Sequence, residues 1–411
     1  MNLRLALATL SVLTTSALFA ADWPRFRGPA ANGISEEKDW LGAWPGGSPK
    51  SLWKANVGVG FASMVVADGR LVTTGHSGQK KGGEDTITCL DVATGKVLWK
   101  HSYPQELAPH YYDGGTSATP TIHDGRVYAV AKSGLVHCLE LASGKVVWKK
   151  DLAGEVGLKV PEWGFAGAPH IHGKLVILNA GAAGIALDRA TGEVAWMSEK
   201  SSSGYGTPVP FKAGGRDALA IFTLRHVVAV EPDTGKELWR HPWKTQYDVN
   251  AADPVVSGDL MLLTSGYGTG ATGIRFGADK ASQVWKNTEL RAHMQAPVAS
   301  GGFAYGIDGE GGEKDSRLKC IEIATGKVVW QSPQAETGVL SAADGKLIWV
   351  TGSGELVVVK MDPSKYDEVA RAQVTGGRIW SAPVLANGRL YVRNWKGDVV
   401  CLDVKGSGGV S

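Results

Sequence analysis

Apolar and polar positions alternate along this chain in short runs, each too brief for a helix and each cut off by a turn. One stretch shows the grammar. Ala118-Thr-Pro-Thr-Ile122 ends at His123-Asp-Gly125, Arg126-Val-Tyr-Ala-Val130 ends at Lys132-Ser-Gly134, and Leu135-Val-His-Cys-Leu-Glu140 ends at Ala142-Ser-Gly-Lys145 before Val146-Val-Trp148. A period of two in β-branched and aromatic residues, broken by Asp-Gly and Ser-Gly, predicts a four-stranded antiparallel meander.

The meander repeats. Cys89-Leu-Asp-Val-Ala-Thr-Gly-Lys-Val-Leu-Trp99 recurs as Cys138 to Trp148, Ala186 to Trp196, Ala229 to Trp239 and Cys320 to Trp330. A small residue opens each copy, an acid follows two places later, Gly takes the seventh place and Trp the eleventh. A degraded copy ends at Trp285, so the tryptophans at 99, 148, 196, 239, 285 and 330 stand 43 to 49 residues apart. That period is the one expected of propeller blades. The seventh-place glycine suits a turn that needs positive φ.

Seven complete meanders begin near Phe61, Thr116, Phe165, Tyr205, Ala251, Met294 and Thr337. An eighth starts at Ser381 and stops at Cys401-Leu-Asp403 without a fourth strand. Ser51-Leu-Trp-Lys-Ala-Asn-Val57, near the other terminus, supplies the missing one and would close the ring without an open edge. The reading is all-β: a single eight-bladed β-propeller over 51–404, a signal peptide over 1–20, an arm over 21–50 and a tail over 405–411. Tryptophans at blade seams are read as core, because burying one removes ~150–250 Å² of surface.

Composition narrows the functional classes. With 43 Lys+Arg against 40 Asp+Glu, the 411-residue chain has no charge excess to hold nucleic acid. Arg4, the apolar run Leu5 to Phe19 and the small pair Ala20-Ala21 predict a cleaved export signal. No later run is apolar enough for a membrane span. The expected location is periplasmic or secreted, as a monomer without a lipid anchor. Four cysteines in an exported chain invite disulfides. Cys89, Cys138, Cys320 and Cys401, however, occupy one position in different blades, and sheets packed ~10 Å apart exceed the reach of a disulfide. Buried free thiols are expected.

The eleven-residue pattern resembles the tryptophan-docking motif of PQQ-type propeller repeats, found in quinoprotein dehydrogenases and in the propeller of the outer-membrane barrel-assembly lipoprotein. Asp22-Trp-Pro-Arg-Phe-Arg-Gly-Pro29 is similar to the opening of secreted PQQ-repeat proteins of unassigned role. The resemblance implies that Trp99, Trp148, Trp196, Trp239 and Trp330 each stack on the motif glycine of a neighbouring blade. It also implies, in its enzymes, bound PQQ beside adjacent cysteines and a calcium set. Here no two cysteines are adjacent, and no calcium set maps onto the chain.

Other motifs carry little. Gly268-Thr-Gly-Ala-Thr-Gly273 matches a phosphate-loop pattern but has no helix after it. Gly75-His-Ser-Gly-Gln79 lacks the last glycine of a nucleophile elbow. His170 and His172 share a strand face without an evident third ligand, and the acidic loop Asp308 to Asp315 lacks calcium-loop spacing.

A meander sorts its turns by rim. Strands A to D run outward from the axis; A–B and C–D turns share a uniform rim, while B–C and D–A connections share a variable one. Variable loops on a rigid scaffold are where recognition is expected. The D–A segments hold Tyr111, Tyr112, Asp113, Trp163, Tyr205, Asp248, Asn250, His293, Gln295, Arg378 and Trp380, and the B–C connections add Arg225, His226 and Trp395. The expected ligand-binding set is Tyr112, Asp113, Trp163, Tyr205, Asn250, His293, Gln295, Arg378 and Trp380, taking a protein, peptide or glycan. No catalytic residue, metal or cofactor is expected.

The alternative is a PQQ-dependent alcohol or sugar dehydrogenase with Ca²⁺. In it Trp163 or Trp380 would be the stacking platform, Arg378 the carboxylate partner and Asp113 or Asp248 the base. A further expectation is that the arm, through Trp23, Arg25, Phe26 and Arg27, plugs or covers one rim.

Overall fold

A computed structural model of the chain describes residues 21–109, 112–310 and 313–406. The expected signal peptide, Tyr111 and most of the tail lie outside them. Eight antiparallel sheets form the blades of a β-propeller. The first contains Val65–Ala67, Arg70–His76, Glu84–Asp91 and Val97–Pro104, and the next six follow the same order from the axis outward.

The eighth blade takes Val384–Ala386, Arg389–Arg393 and Asp398–Asp403 from the C-terminal end, with Lys50–Asn56 as its outermost strand. Lys50 faces Asp403 and Asn56 faces Asp398, so the two ends of the chain are laced antiparallel along the strand. A closed sheet ring leaves no first or last blade to fray.

Each outermost pairing slips register once. The slip falls between Cys89 and Leu90, Ala186 and Leu187, and Ser51 and Trp53, and it recurs in every blade. Such a bulge adds local twist. It accompanies a swing of the indole onto the following blade. Trp99 Nε1 donates to Leu141 O at 2.8 Å, Trp148 to Arg189 O at 2.9 Å, Trp196 to Pro232 O at 2.8 Å and Trp285 to Ile323 O at 2.8 Å. Beneath these rings lie Gly144, Gly192, Gly235 and Gly326, all at positive φ, where a Cβ would come within 2.7 Å of the indole. Glycine is therefore required twice at these places, by the turn and by the ring.

Two seams differ. Trp239 stacks on Phe276 at 6.1 Å, where the motif glycine is lost. The outer strand of the seventh blade, Glu368–Gln373, holds no tryptophan. There the arm lends Trp40, which joins the shared core of the seventh and eighth blades and bonds Ala343 O.

Cys89, Cys138, Cys320 and Cys401 are buried free thiols, each opposite a seam tryptophan on the outer strand. Burial raises all four, Cys89 to about 12. Among the described residues no helix is long and apolar enough to cross a membrane.

Candidate functional site

The innermost strands begin at a belt of residues that precede prolines: Thr119, Ala168, Thr207, Asp253, Ala296 and Ala382. Proline fixes φ and holds its predecessor extended. Ser63 N donates to Thr119 Oγ1, Ser63 Oγ to Ala382 O, Ala168 N to Thr207 Oγ1 and Thr207 N to Asp253 Oδ1. These bonds of 2.7 to 3.1 Å tie the hub together from blade to blade. The belt narrows the axis, and the variable loops rise around it as a funnel.

The arm closes the other end. Trp23 bridges Val66 of the first blade, Pro24 O accepts Ile122 N of the second, and Arg25 donates to His170 Nδ1 of the third at 2.8 Å. Arg27 then reaches the far side of the hub and donates to Ala296 O and Pro297 O of the sixth blade, both at 2.8 Å. Ile34–Ser35 adds a parallel fifth strand to the seventh blade. The arm thus lies across the axis, and Phe26 faces the funnel as part of its floor.

What remains is a blind cavity of about 390 Å³. Of the residues expected from sequence, Tyr112, Trp163, Tyr205, His293, Gln295 and Trp380 line it. Trp380, Phe61, Tyr112 and Trp163, from four consecutive blades, form one aromatic wall, with centroids 4.5 Å apart for Trp380–Phe61, 5.6 Å for Phe61–Tyr112 and 6.3 Å for Tyr112–Trp163. Cations already sit on two of these rings: Lys132 Nζ lies 4.6 Å from the Tyr112 centroid and also bonds its hydroxyl, and Arg378 lies 5.1 Å from the Trp380 centroid.

The other wall is more polar. Tyr267 packs edge-on against His293 at 4.7 Å, and the Tyr267 backbone N–H donates to Glu310. Both ring nitrogens of His293 are buried and have no hydrogen-bond partner among the described residues. Burial brings this imidazole down to about 4, so it is neutral at neutral pH. Gln295 Nε2 donates to Trp380 O and joins the two walls.

Asp113, Arg378 and Asn250 are placed otherwise. Arg378 Nη1 and Asp113 Oδ2 pair at 2.5 Å beside the aromatic wall, each answering the other's charge. Asn250 is fully buried. Its amide donates to Thr223 O, Leu224 O and Trp243 O, and Ser265 donates to its oxygen, so it brackets loops and does not line this cavity. Asp248 is gripped by Arg225 at 2.9 Å on the rim.

Sequence reasoning missed Phe61, Asp253, Tyr267 and Glu310 as lining residues, and it placed Phe26 only in an arm covering one rim. Asp253 left a signal: it is the one acid in a belt otherwise made of alanine and threonine before proline. Burial raises its carboxyl to about 6, against the pull of Arg27, the Thr207 N–H and Arg25.

The comparisons follow this geometry. No curated protein sequence matches the chain. Among solved structures, BamB from Moraxella catarrhalis superposes with a TM-score of 0.62 at 13% identity, covering 87% of this chain and 100% of that one. The quinohemoprotein alcohol dehydrogenase from Comamonas testosteroni gives 0.63 at 15%, covering 95% and 82%. A europium-containing methanol dehydrogenase gives 0.65 at 13%, covering 91% and 90%. At such identities these likenesses speak for the fold alone. Residues 83–332 match a family described as outer membrane protein assembly factor BamB, and across that span the chain belongs to this PQQ-like β-propeller family.

Proposed function

We propose that this protein is a non-catalytic binding propeller of the periplasm or cell exterior, holding a group of a protein, peptide or glycan in its hub funnel. The observation that carries the reading is the closed floor. A channel sealed by the chain's own arm and walled with aromatic rings is a receptacle, of the size and character of small-group binding sites. Its hydroxyls are committed to structure: Ser63 Oγ donates to Ala382 O, and Thr207 Oγ1 accepts Ala168 N. Among the described residues no lining serine or threonine is hydrogen-bonded to His293, as an activated nucleophile would require.

The lining does not fit PQQ, a tricarboxylate quinone. Among the described residues it presents Asp253 and Glu310 and no Lys or Arg. The nearby Arg378 is engaged by Asp113. Like charges facing an anion oppose its binding. The dehydrogenases among the structural neighbours therefore speak for the scaffold and not for the reaction.

Two measurements test the reading. Purified protein given PQQ, Ca²⁺, alcohols or sugars and an artificial electron acceptor is expected to show no turnover. A panel of peptides and glycans is expected to give saturable binding that Ala166→Trp, which fills the funnel from its wall, abolishes. PQQ-dependent turnover, or binding indifferent to Ala166→Trp, would overturn it.

A further inference from the structure

The aromatic wall of the funnel is not a platform. Trp380 and Phe61 are tilted by 31°, Phe61 and Tyr112 by 50°, and Tyr112 and Trp163 by 53°, so no plane runs along them for a flat ligand. His293 offers an occupant nothing polar, since both its nitrogens are buried and its imidazole is neutral. What separates one occupant from another is charge.

The cations beside the wall are matched by acids of their own. Arg378, over the Trp380 ring, pairs with Asp113. Lys132, over the Tyr112 ring, lies in the field of Asp85. Arg291, whose field reaches Glu310, is engaged by Asp308 at 3.1 Å and lies 3.9 Å from Glu313.

The acids of the lining are not matched in this way. Among the described residues, Glu310 and Asp253 line the cavity and no Lys or Arg does. The Glu310 carboxylate accepts the backbone N–H of Tyr267, which is held at φ 53°, a left-handed conformation costly for a bulky residue. Asp253 accepts the Thr207 N–H. Arg25 and Arg27 pull on Asp253 from the arm, but Arg25 donates to His170 and Arg27 to four backbone carbonyls. Their pull does not offset burial, and the Asp253 carboxyl stays raised at about 6.

An occupant of the funnel displaces water from both carboxylates, which is costly unless positive charge replaces it. An anion adds repulsion. A neutral apolar group packs on the rings and leaves both acids without a counter-charge. An alkyl stem ending in a cation meets both demands, with the stem along the aromatic rings and the head beside the carboxylates.

Resting on the binding reading above, we infer that the funnel is a socket for one cationic side chain, Lys or Arg, of a protein or peptide partner, its stem against the aromatic wall and its head at Glu310 and Asp253. The cavity, about 390 Å³, admits a side chain and excludes a folded domain. The partner therefore presents this residue on a chain end or a protruding loop.

The probes are capped pentapeptides, acetyl-Ala-Ala-X-Ala-Ala-amide, with Lys, Arg, norleucine or Glu at X. They are titrated to about 10 mM, well above the dissociation constant of a sub-millimolar site, against the full mature chain. Calorimetry and tryptophan emission are the readouts, since Trp163 and Trp380 line the cavity. At least one cationic peptide is expected to bind, the norleucine peptide at least tenfold more weakly and the Glu peptide not at all. Glu310→Gln and Asp253→Asn keep the acceptors for the Tyr267 and Thr207 N–H groups and remove one charge each. Each is expected to weaken the cationic peptide about tenfold and to leave the norleucine peptide within about twofold. That split separates lost charge from a disturbed cavity, and circular dichroism of each variant checks the fold.

Silence from both cationic peptides, equal binding of the norleucine peptide, or cation binding that both substitutions leave unchanged overturns the inference. If octapeptides without Lys or Arg then bind, and Ala166→Trp blocks them, the cationic side chain is wrong while the binding propeller stands. If no peptide or glycan binds, both readings fall together.

Discussion

The indole of Trp53 lies on Gly95, whose Cβ, if it had one, would come within 2.6 Å of the ring. These residues stand on either side of the junction where the chain's ends meet. Trp53 belongs to the N-terminal strand that completes the eighth blade, and Gly95 to the turn between the outer strands of the first. Its Nε1 donates to Val92 O at 3.0 Å, the same contact other tryptophans make at their own seams. The closing strand thus brings the two ends together and also makes the seam contact that the eighth blade would otherwise lack.

Trp53→Ala is therefore expected to cost ~3–5 kcal/mol, the range for emptying a large core aromatic site. Gly95→Ala combines a Cβ clash with a positive φ of 69° and is expected to cost ~1–3 kcal/mol. Val97→Ala, on the same blade with its side chain half exposed, should change stability by less than ~0.5 kcal/mol. Urea denaturation of the three variants checks the order. Equal losses for Trp53→Ala and Val97→Ala would mean that the junction carries no special weight.

The arm makes a second prediction. The Arg27 guanidinium donates to the carbonyls of Ala31, Asn32, Ala296 and Pro297 and is almost fully buried. Arg27→Ala strands those acceptors and should cost ~3 kcal/mol or more. It should also release the arm to proteolysis after Glu36 and Glu37, at rates at least tenfold above the parent. Resistance equal to the parent would show that Trp23 and Trp40 hold the arm without Arg27.

Thiol chemistry gives a third. Cys89, Cys138, Cys320 and Cys401 are buried and unpaired, and burial disfavours the thiolate at each. The native protein should leave Ellman's reagent unreacted for hours at pH 8, and the unfolded protein should release four equivalents. Fewer than four in denaturant without reductant would reveal a disulfide.

The ring was legible in the sequence because every blade is built on the same local rule. Alternation, Asp-Gly turns and the eleven-residue motif recur, so an error in one copy is corrected by the others. The closing strand was legible for a related reason, since an eighth meander lacked its fourth strand and only one unassigned run could fill it. The funnel was harder. Trp163, His293 and Trp380 could be placed on the variable rim by counting turns, but counting does not say which way a loop folds. Asn250 has the chemistry of a ligand group and spends it on three backbone carbonyls. Asp113 and Arg378, far apart in the chain, neutralise each other. Phe26 could be placed only in an arm that plugs or covers one rim, and not in the cavity's floor, because the arm has no repeat to reveal its path.

The seam between the first two blades supplies the last prediction. His137 is wholly buried, and neither ring nitrogen has a partner among the described residues. Around it stand His101 at 5.1 Å, Tyr103 at 4.3 Å and, paired on the adjacent strand, Lys149. Burial, then His101 and Lys149, bring its imidazole down to about 3. The folded protein therefore refuses a proton that the unfolded chain takes up near pH 6.5. As pH falls below 6.5 the unfolded state gains by ~1.4 kcal/mol per unit, and the loss of stability continues until the folded group protonates. Between pH 7.5 and 5 this one residue should cost ~2 kcal/mol. The Asp253 carboxyl, raised to about 6, works the other way: its protonation favours the fold as pH falls from 6 to about 4. Comparing His137→Leu with the parent cancels that term, because Asp253 is present in both. The variant should lose ~2 kcal/mol less over the same interval and, relieved of two unpaired nitrogens, be no less stable at pH 7.5. Urea midpoints at the two pH values decide it. Parallel losses in parent and variant would mean that water or a rearranged neighbour satisfies His137, and that the acid sensitivity arises elsewhere.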